Sequence, residues 1–205
     1  ASDIDLDQYS GVIITGSPFG FEHPHEEKTD EHLRVEERID LLAAILLKRD
    51  FPTFGICFGI QSLARASGAP LVQGFSEDLQ APEITLTEAG REDPLTGALP
   101  PTFYAYTGHA DAIGTIPAGA ELLATGSRCH VQILRWGHNV YGTQFILKLR
   151  VKVCIFALIP TGTPTILRKK SLPLLHAAMR QIHNPPTTFW HRLSTVTREP
   201  DEGEL

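Results

Sequence analysis

One seven-residue segment constrains the fold of this chain more than any other. It reads GICFGIQ (residues 55–61), follows a short apolar run and precedes a helical pattern. A cysteine between two glycines, where a strand turns sharply into a helix, is typical of a nucleophile elbow. The helix dipole is then expected to favour the Cys57 thiolate, and the Phe58 N–H to face a developing oxyanion. The alternative is that Cys57 is only a small buried hydrophobe, as free cysteines commonly are.

The residues around this segment predict an α/β domain. Residues 11–15 are typical of a buried strand, and residues 30–48 carry apolar side chains at helical spacing. Gly68 suits the position just after the elbow helix. This alternation of strand and helix predicts a parallel sheet. Antiparallel strands are predicted after it at residues 83–87, 103–106, 121–125, 131–136 and 140–145. Residues 136–139 are predicted to form a hairpin turn between the last two strands.

Composition excludes several classes of protein. The chain has 205 residues and a net charge of −6, which is typical of one ordinary α/β domain and disfavours a nucleic-acid binder. Its three cysteines, Cys57, Cys129 and Cys154, are widely spaced, so neither a disulfide framework nor a zinc site is expected. A reducing cytoplasm is the simplest compartment, and no apolar run is long enough to span a membrane.

Four stretches together resemble one family, the class I glutamine amidotransferases, which use a Cys-His-Glu triad. They are YSGVIITGSPF (9–19), the elbow, GHAD (108–111) and VYGTQF (140–145), in the family's order within residues 1–145. They are most similar to stand-alone proteins that resemble the glutaminase part of GMP synthase. The resemblance implies a flavodoxin-like sandwich with a mainly parallel central sheet, helices on both faces and a small antiparallel portion. An N-terminal strand–helix unit is expected to be missing.

The resemblance also implies a chemistry for Cys57. Its thiolate would attack the side-chain amide of glutamine, giving a γ-glutamyl thioester and releasing ammonia. Backbone N–H groups of Gly16, Ser17 and Phe58 would hold the oxyanion. Gly16 is expected there because a residue without Cβ lets the backbone approach closely.

Further residues are implied to bind the substrate. Gln61 resembles the family residue that helps to hold glutamine, and the segment from His109 to Asp111 resembles the loop that contacts its amino-acid end. No cofactor and no metal are expected, and His23 and His25 are interpreted as part of a solvated, charged loop. Because the chain has no Walker-type phosphate loop, the ammonia acceptor is expected to be a separate partner, such as an ATP-dependent synthetase.

The chain departs from the family after Phe145. The family continues with His-Pro-Glu, whose histidine is the general base, whereas this chain has Ile146, Leu147 and Lys148. Residues 146–205 contain nine Lys or Arg, and no Asp or Glu occurs between Glu121 and Glu199. If the codons are ATC, CTG and AAR, one inserted C yields CAT, CCT and GAA, which encode His-Pro-Glu. We interpret residues 146–205 as an aberrant tail translated out of frame.

Three alternatives stay open at this point. The chain could be an inactive amidotransferase-like module that binds glutamine or a partner without turnover. It could be a hydrolase of the γ-glutamyl hydrolase type. It could also be another cysteine hydrolase that uses His109 or His138 as its base.

Overall fold

The computed structural model describes residues 5–17, 20–21, 25–146 and 165–168. The predictions for His23, Leu147, Lys148, Cys154 and most of the tail therefore lie outside the described residues. The described ranges contain three α-helices, α1 (Asp30–Arg49), α2 (Phe58–Ala66) and α3 (Glu88–Glu92), and twelve strands. The twelve strands are β1 (Tyr9–Ile14), β2 (Thr53–Ile56), β3 (Leu71–Val72), β4 (Glu77–Gln80), β5 (Glu83–Leu86), β6 (Thr102–Tyr104), β7 (Thr107–His109), β8 (Ala112–Ile113), β9 (Ala120–Gly126), β10 (Ile133–Trp136), β11 (Val140–Thr143) and β12 (Thr165–Arg168).

Eight of these strands form one sheet in the order β12-β1-β2-β11-β10-β9-β5-β6. Strands β1, β2 and β11 pair in parallel, and the strands from β10 to β6 pair antiparallel. The predicted α/β fold with a parallel part around the elbow is therefore confirmed. Strand β12 pairs antiparallel with the edge of β1 and was not predicted, because its sequence lies within the irregular tail.

The sheet is covered on both faces. Helices α1 and α2 pack on one face, where Ile39, Leu46 and Leu63 lie in a cluster with side chains from β1 and β11. The other face carries a second cluster around Phe54 and Phe145, against which α3 packs. Burial of these apolar surfaces is the main stabilising contribution. Among the described residues, no helix combines the length and the apolar character needed to cross a membrane.

Local sequence signals explain where α1 begins and ends. Thr29 caps its first turn by accepting a hydrogen bond from the His32 N–H at 3.2 Å, and Asp30 and Glu31 place negative charge there. The helix ends at Asp50, which has a left-handed conformation with φ of 46°. The Asp50 carboxylate accepts hydrogen bonds from the backbone of the β10–β11 turn, which fixes the helix end against that hairpin.

Candidate active site

Cys57 lies at the sharp turn between β2 and α2, as the elbow motif predicts. Its φ is +52°, an uncommon conformation for a residue other than glycine and one that clusters at functional sites. The flanking glycines make this turn possible. A Cβ added to Gly55 would lie 2.6 Å from the Gly59 carbonyl carbon, and one added to Gly59 would lie 2.3 Å from the Ile14 carbonyl oxygen. The helix therefore approaches the strands more closely than any side chain would allow.

Strand β11 holds Cys57 from the opposite side. The Cys57 N–H donates to the Thr143 carbonyl at 2.7 Å, and the Gln144 amide nitrogen lies 3.8 Å from the Cys57 sulfur. The Phe58 N–H also points at the sulfur. The half-buried thiol is thus surrounded by hydrogen-bond donors, which is the environment that a developing negative charge requires.

The protonation of Cys57 differs from the expectation. Burial raises the pKa of the thiol to about 11, and the Asp111 carboxylate adds to the rise. Hydrogen bonds from the Phe58 N–H and the Gln144 amide lower the pKa without offsetting this desolvation. Desolvation therefore dominates the pKa of this thiol, and the two hydrogen bonds only reduce its rise. Cys57 therefore needs a base to act as a nucleophile near neutral pH.

We expect the alkylation of Cys57 by iodoacetamide to rise about tenfold per pH unit and to show no plateau below about pH 10, since only the thiolate reacts. Mass spectrometry of the peptide that contains Cys57 measures the rate, with N-acetylcysteine as the unperturbed reference and circular dichroism to confirm folding at each pH. A plateau at the same pH as N-acetylcysteine would show that the protein leaves this thiol unperturbed.

The loop after β1 lies beside Cys57. A Cβ added to Gly16 would lie 3.8 Å from the Cys57 Cβ, which is ordinary van der Waals contact. Apart from its chain neighbours, no other atom of the described residues lies within 4 Å of that Cβ, and the close approach of Gly16 to an oxyanion stays a prediction. The roles of Gly16, Ser17 and Phe58 as oxyanion donors stay predictions.

The predicted substrate residues form one hydrogen-bonded network next to the elbow. The buried Gln61 donates its amide N–H to the Asp111 carbonyl at 2.6 Å, and the same nitrogen lies 3.5 Å from the Gln144 side-chain oxygen. The Asp111 carboxylate accepts the Phe21 N–H at 2.9 Å. The Phe21 ring stacks on that of Phe58 at 4.5 Å. The structure thus brings the elbow helix, the loop of Asp111 and the end of β11 together, while their contact with glutamine stays a prediction.

Neither proposed alternative base can serve Cys57. Both ring nitrogens of His109 are engaged elsewhere, Nδ1 with the Asp111 carbonyl at 2.9 Å and Nε2 with Glu77 at 3.1 Å. His138 lies in the turn that opens β11, whereas Cys57 lies beside Thr143 at its end. Four residues of extended strand separate the two ends by roughly 13 Å. The hypothesis that His109 or His138 acts as the base for Cys57 is therefore wrong.

Ile146 stands where the family's His-Pro-Glu motif would begin, and it is the last residue described in this part of the chain. The Ile146 N–H donates to the Tyr106 carbonyl at 2.7 Å, which fixes the backbone there, and the side chain is 44% exposed. An isoleucine can neither accept nor donate a proton. Leu147 and Lys148 lie outside the described residues.

Sequence spacing missed one cluster. Glu77, His109 and Cys129 come from three distant parts of the chain, and one ligand atom from each lies within 4.8 Å of the others. Burial raises the pKa of the Cys129 thiol to about 12. Because no short motif links the three residues, only the tertiary structure shows that they meet.

Comparison with known proteins agrees with this fold and this elbow. The sequence model of the family described as glutamine amidotransferase class-I matches residues 1–145. A glutamine-hydrolyzing GMP synthase subunit of Methanococcus aeolicus is 31% identical over 160 residues, covering 72% of this chain and 75% of that protein. The subunit of the same name from Haloarcula marismortui is 28% identical over 144 residues, covering 70% of this chain and 65% of that protein.

Solved structures show the same fold. The crystal structure of a glutamine amidotransferase from Thermotoga maritima superposes with a TM-score of 0.61 at 21% identity, covering 88% of this chain and 79% of that one. This chain belongs to the class I glutamine amidotransferase family. It spans about two thirds of the length of the Haloarcula relative.

Proposed function

We propose that this fold is built to hydrolyse the side-chain amide of glutamine through a Cys57 thioester and to deliver ammonia to an acceptor, in the manner of a GMP synthase glutaminase. The observation that carries the proposal is the position of Cys57. It lies at a strained elbow, among the Phe58 N–H, the Gln144 amide and the network of Gln61 and Asp111, in a chain of this family. The resemblance assigns the substrate-binding role to Gln61, His109 and Asp111.

The chemistry requires two proton transfers. The Cys57 sulfur attacks the amide carbon of glutamine, and its proton must leave as the C–S bond forms. The oxyanion then collapses, the C–N bond breaks, and the leaving nitrogen takes a proton and departs as ammonia. Water cleaves the thioester to release glutamate. A thiol with a pKa of about 11 gives up its proton only to a nearby base, and position 146 supplies none. We therefore propose that turnover by this chain is strongly impaired.

The boundary of the working domain is part of the proposal. The family match ends at Phe145, and the basic, proline-rich composition begins at the next residue. We assign residues 1–145 to the amidotransferase domain and residues 146–205 to an out-of-frame tail. The coincidence of these two boundaries with the loss of His-Pro-Glu supports that assignment.

The names of the relatives support a proposal for the partner, and the free cysteines support a proposal for the compartment. The relatives from Methanococcus and Haloarcula are named as subunits of GMP synthase. We propose that a separate ATP-dependent synthetase, or another ammonia acceptor, receives the ammonia in the cytoplasm. Cys57 and Cys129 are free thiols, which suits a reducing compartment.

A second function is favoured by one observation. Because position 146 offers neither imidazole nor carboxylate, the chain fits a module that binds glutamine or a partner without turnover. The hydrogen bond between Gln61 and Asp111, which the resemblance assigns to substrate binding, is present and supports binding without hydrolysis.

A glutamine analogue whose amide is replaced by a chloromethyl ketone tests the site at about pH 9, where solvent ionises a fraction of Cys57 without the missing base. We expect it to alkylate Cys57 faster than iodoacetamide does and to be slowed by excess glutamine but not by excess asparagine, because a site for glutamine would bind the longer side chain. Mass spectrometry locates the adduct, and Cys57→Ala serves as the control that gives none at this position. Labelling that excess glutamine leaves unchanged would contradict a glutamine site.

A further inference from the structure

The cluster of Glu77, His109 and Cys129 lies on two structural units that meet beside the active site. Strands β4 and β7 form a two-stranded antiparallel sheet in which Glu77 and His109 are direct cross-strand partners. Cys129 lies in the connection between β9 and β10 of the main sheet. A link between these three residues would therefore tie the small sheet to the large one.

The three side chains offer a mixed set of ligands in a dry setting. The Glu77 side chain is fully buried, that of His109 is 2% exposed, and Cys129 is buried. One ligand atom from each lies within 4.8 Å of the others, so small shifts would bring them to the roughly 3.6 Å that separates the ligands of a tetrahedral zinc ion. One imidazole nitrogen, one thiolate and one carboxylate are the donors that Zn²⁺ accepts, whereas Mg²⁺ and Ca²⁺ prefer oxygen alone.

The orientation of His109 is that of a metal ligand. Its Nδ1 lies 2.9 Å from the Asp111 carbonyl, to which an Nδ1–H donates. Metal-binding histidines commonly donate one ring N–H to a backbone carbonyl, which aims the other nitrogen at the cation. The remaining nitrogen, Nε2, faces Glu77 at 3.1 Å. The two atoms are thus about as far apart as two ligand atoms of one tetrahedral zinc ion.

Unpartnered oxygens in the same place provide independent support. Among the described residues, the buried Glu77 Oε1 and Gln132 Oε1 have no hydrogen-bond partner. The Gln132 amide nitrogen donates to Glu77 Oε2 at 3.1 Å, which orients the carboxylate. A buried oxygen without a partner is costly, and more so on a charged group. A dication bound by Glu77, the Cys129 thiolate and a neutral His109 would leave the cluster with no net charge.

We propose that Glu77, His109 and Cys129 bind a zinc ion, with water in the fourth position and Gln132 orienting the carboxylate. The ion would fix the β4–β7 sheet, and with it the loop of Asp111 beside the elbow. His109 then serves the ion through its ring, and any contact with substrate passes through the backbone of its loop. This inference does not depend on glutamine hydrolysis.

Cobalt substitution tests the site by spectroscopy rather than by activity. The full chain carrying Cys57→Ser, freed of metal by chelation, is titrated with Co²⁺. We expect one equivalent to bind with a thiolate-to-cobalt charge-transfer band and the visible spectrum of a tetrahedral ion, and Zn²⁺ to displace it. Failure to bind Co²⁺ would overturn the proposal.

Variants in the same Cys57→Ser background identify the ligands. Cys129→Ser is expected to lose the charge-transfer band, and Glu77→Gln to weaken Co²⁺ binding by at least about tenfold. Asp78→Asn is the matched control, because Asp78 is exposed and adjacent in sequence, and it should leave the affinity unchanged. Circular dichroism verifies folding, and Glu77→Gln decides the matter if Cys129→Ser does not fold. A band that survives Cys129→Ser, or equal affinities of Glu77→Gln and Asp78→Asn, would overturn the assignment.

Discussion

Inserting one base before codon 146, so that His-Pro-Glu follows Phe145, is expected to raise ammonia release from glutamine by at least about a thousandfold. The reason is the state of Cys57, whose pKa of about 11 leaves it protonated near neutral pH. A histidine at position 146 would accept that proton and later deliver one to the leaving nitrogen, and the glutamate would orient the ring. The backbone there is already anchored by the hydrogen bond from Ile146 to Tyr106.

Three variants separate the causes in this experiment. Cys57→Ala in the restored chain should abolish ammonia release, which links the gain to the nucleophile. The triple substitution Ile146→His, Leu147→Pro and Lys148→Glu restores the side chains while keeping the tail. Ile146→Ala in the unrestored chain is the control for a change at this position without a base. If the unrestored chain is already as active as the restored one, and Cys57→Ala is not, another group supplies the base and our account is wrong.

The same prediction can be checked in the source DNA. Sequencing across codons 144–150 should give codons that read His-Pro-Glu after the insertion of a single base. Codons that no single insertion converts to this motif would rule out a frameshift, and the tail would then be a native divergence.

Gly59→Ala is expected to reduce the free energy of unfolding by about 3 kcal/mol or more, because the new Cβ has no space. It would lie 2.3 Å from the Ile14 carbonyl oxygen, so α2 must move away from β1. That movement also displaces Cys57, which begins the helix. Urea denaturation followed by circular dichroism measures the loss.

Gly74→Ala is the matched control for this change. Apart from its chain neighbours, no atom of the described residues lies within 4 Å of a Cβ at Gly74, and the residue is exposed. The free energy of unfolding should therefore change by less than about 0.5 kcal/mol. If Gly59→Ala were as stable as Gly74→Ala, the close approach of α2 to β1 would not be a constraint on the elbow.

Local patterns were sufficient for most of the fold. The apolar spacing in residues 30–48 and the acidic residues of the first turn predict α1, which runs over Asp30–Arg49. The glycine and polar residues of the hairpin at 136–139 predict the β10–β11 turn, in which Gly137 has a φ of 53°. Strand β12 was missed because it is a single edge strand inside a segment without strand periodicity, and only its pairing with β1 reveals it.

The candidate site was predictable in position and less so in electrostatics. The family resemblance grouped Cys57, Gln61 and Asp111 in one site, and the structure brings Gln61 and Asp111 into hydrogen-bond contact beside the elbow. The raised pKa of Cys57 was not predictable, because desolvation depends on every neighbour and not on the adjacent residues. The cluster of Glu77 and Cys129 was missed because these two residues lie 52 positions apart and meet only in the folded chain.

The bond from the Cys57 N–H to the Thr143 carbonyl is made by main-chain atoms alone, so it forms whatever side chain stands at position 146. The position of Cys57 and the presence of a base at position 146 therefore depend on different residues, and one can be lost without the other. A survey that recognises working members of this family by overall shape, or by the presence of the cysteine, would count this chain among them. On the proposal made above, the side chain at position 146 is what separates a working member from this chain.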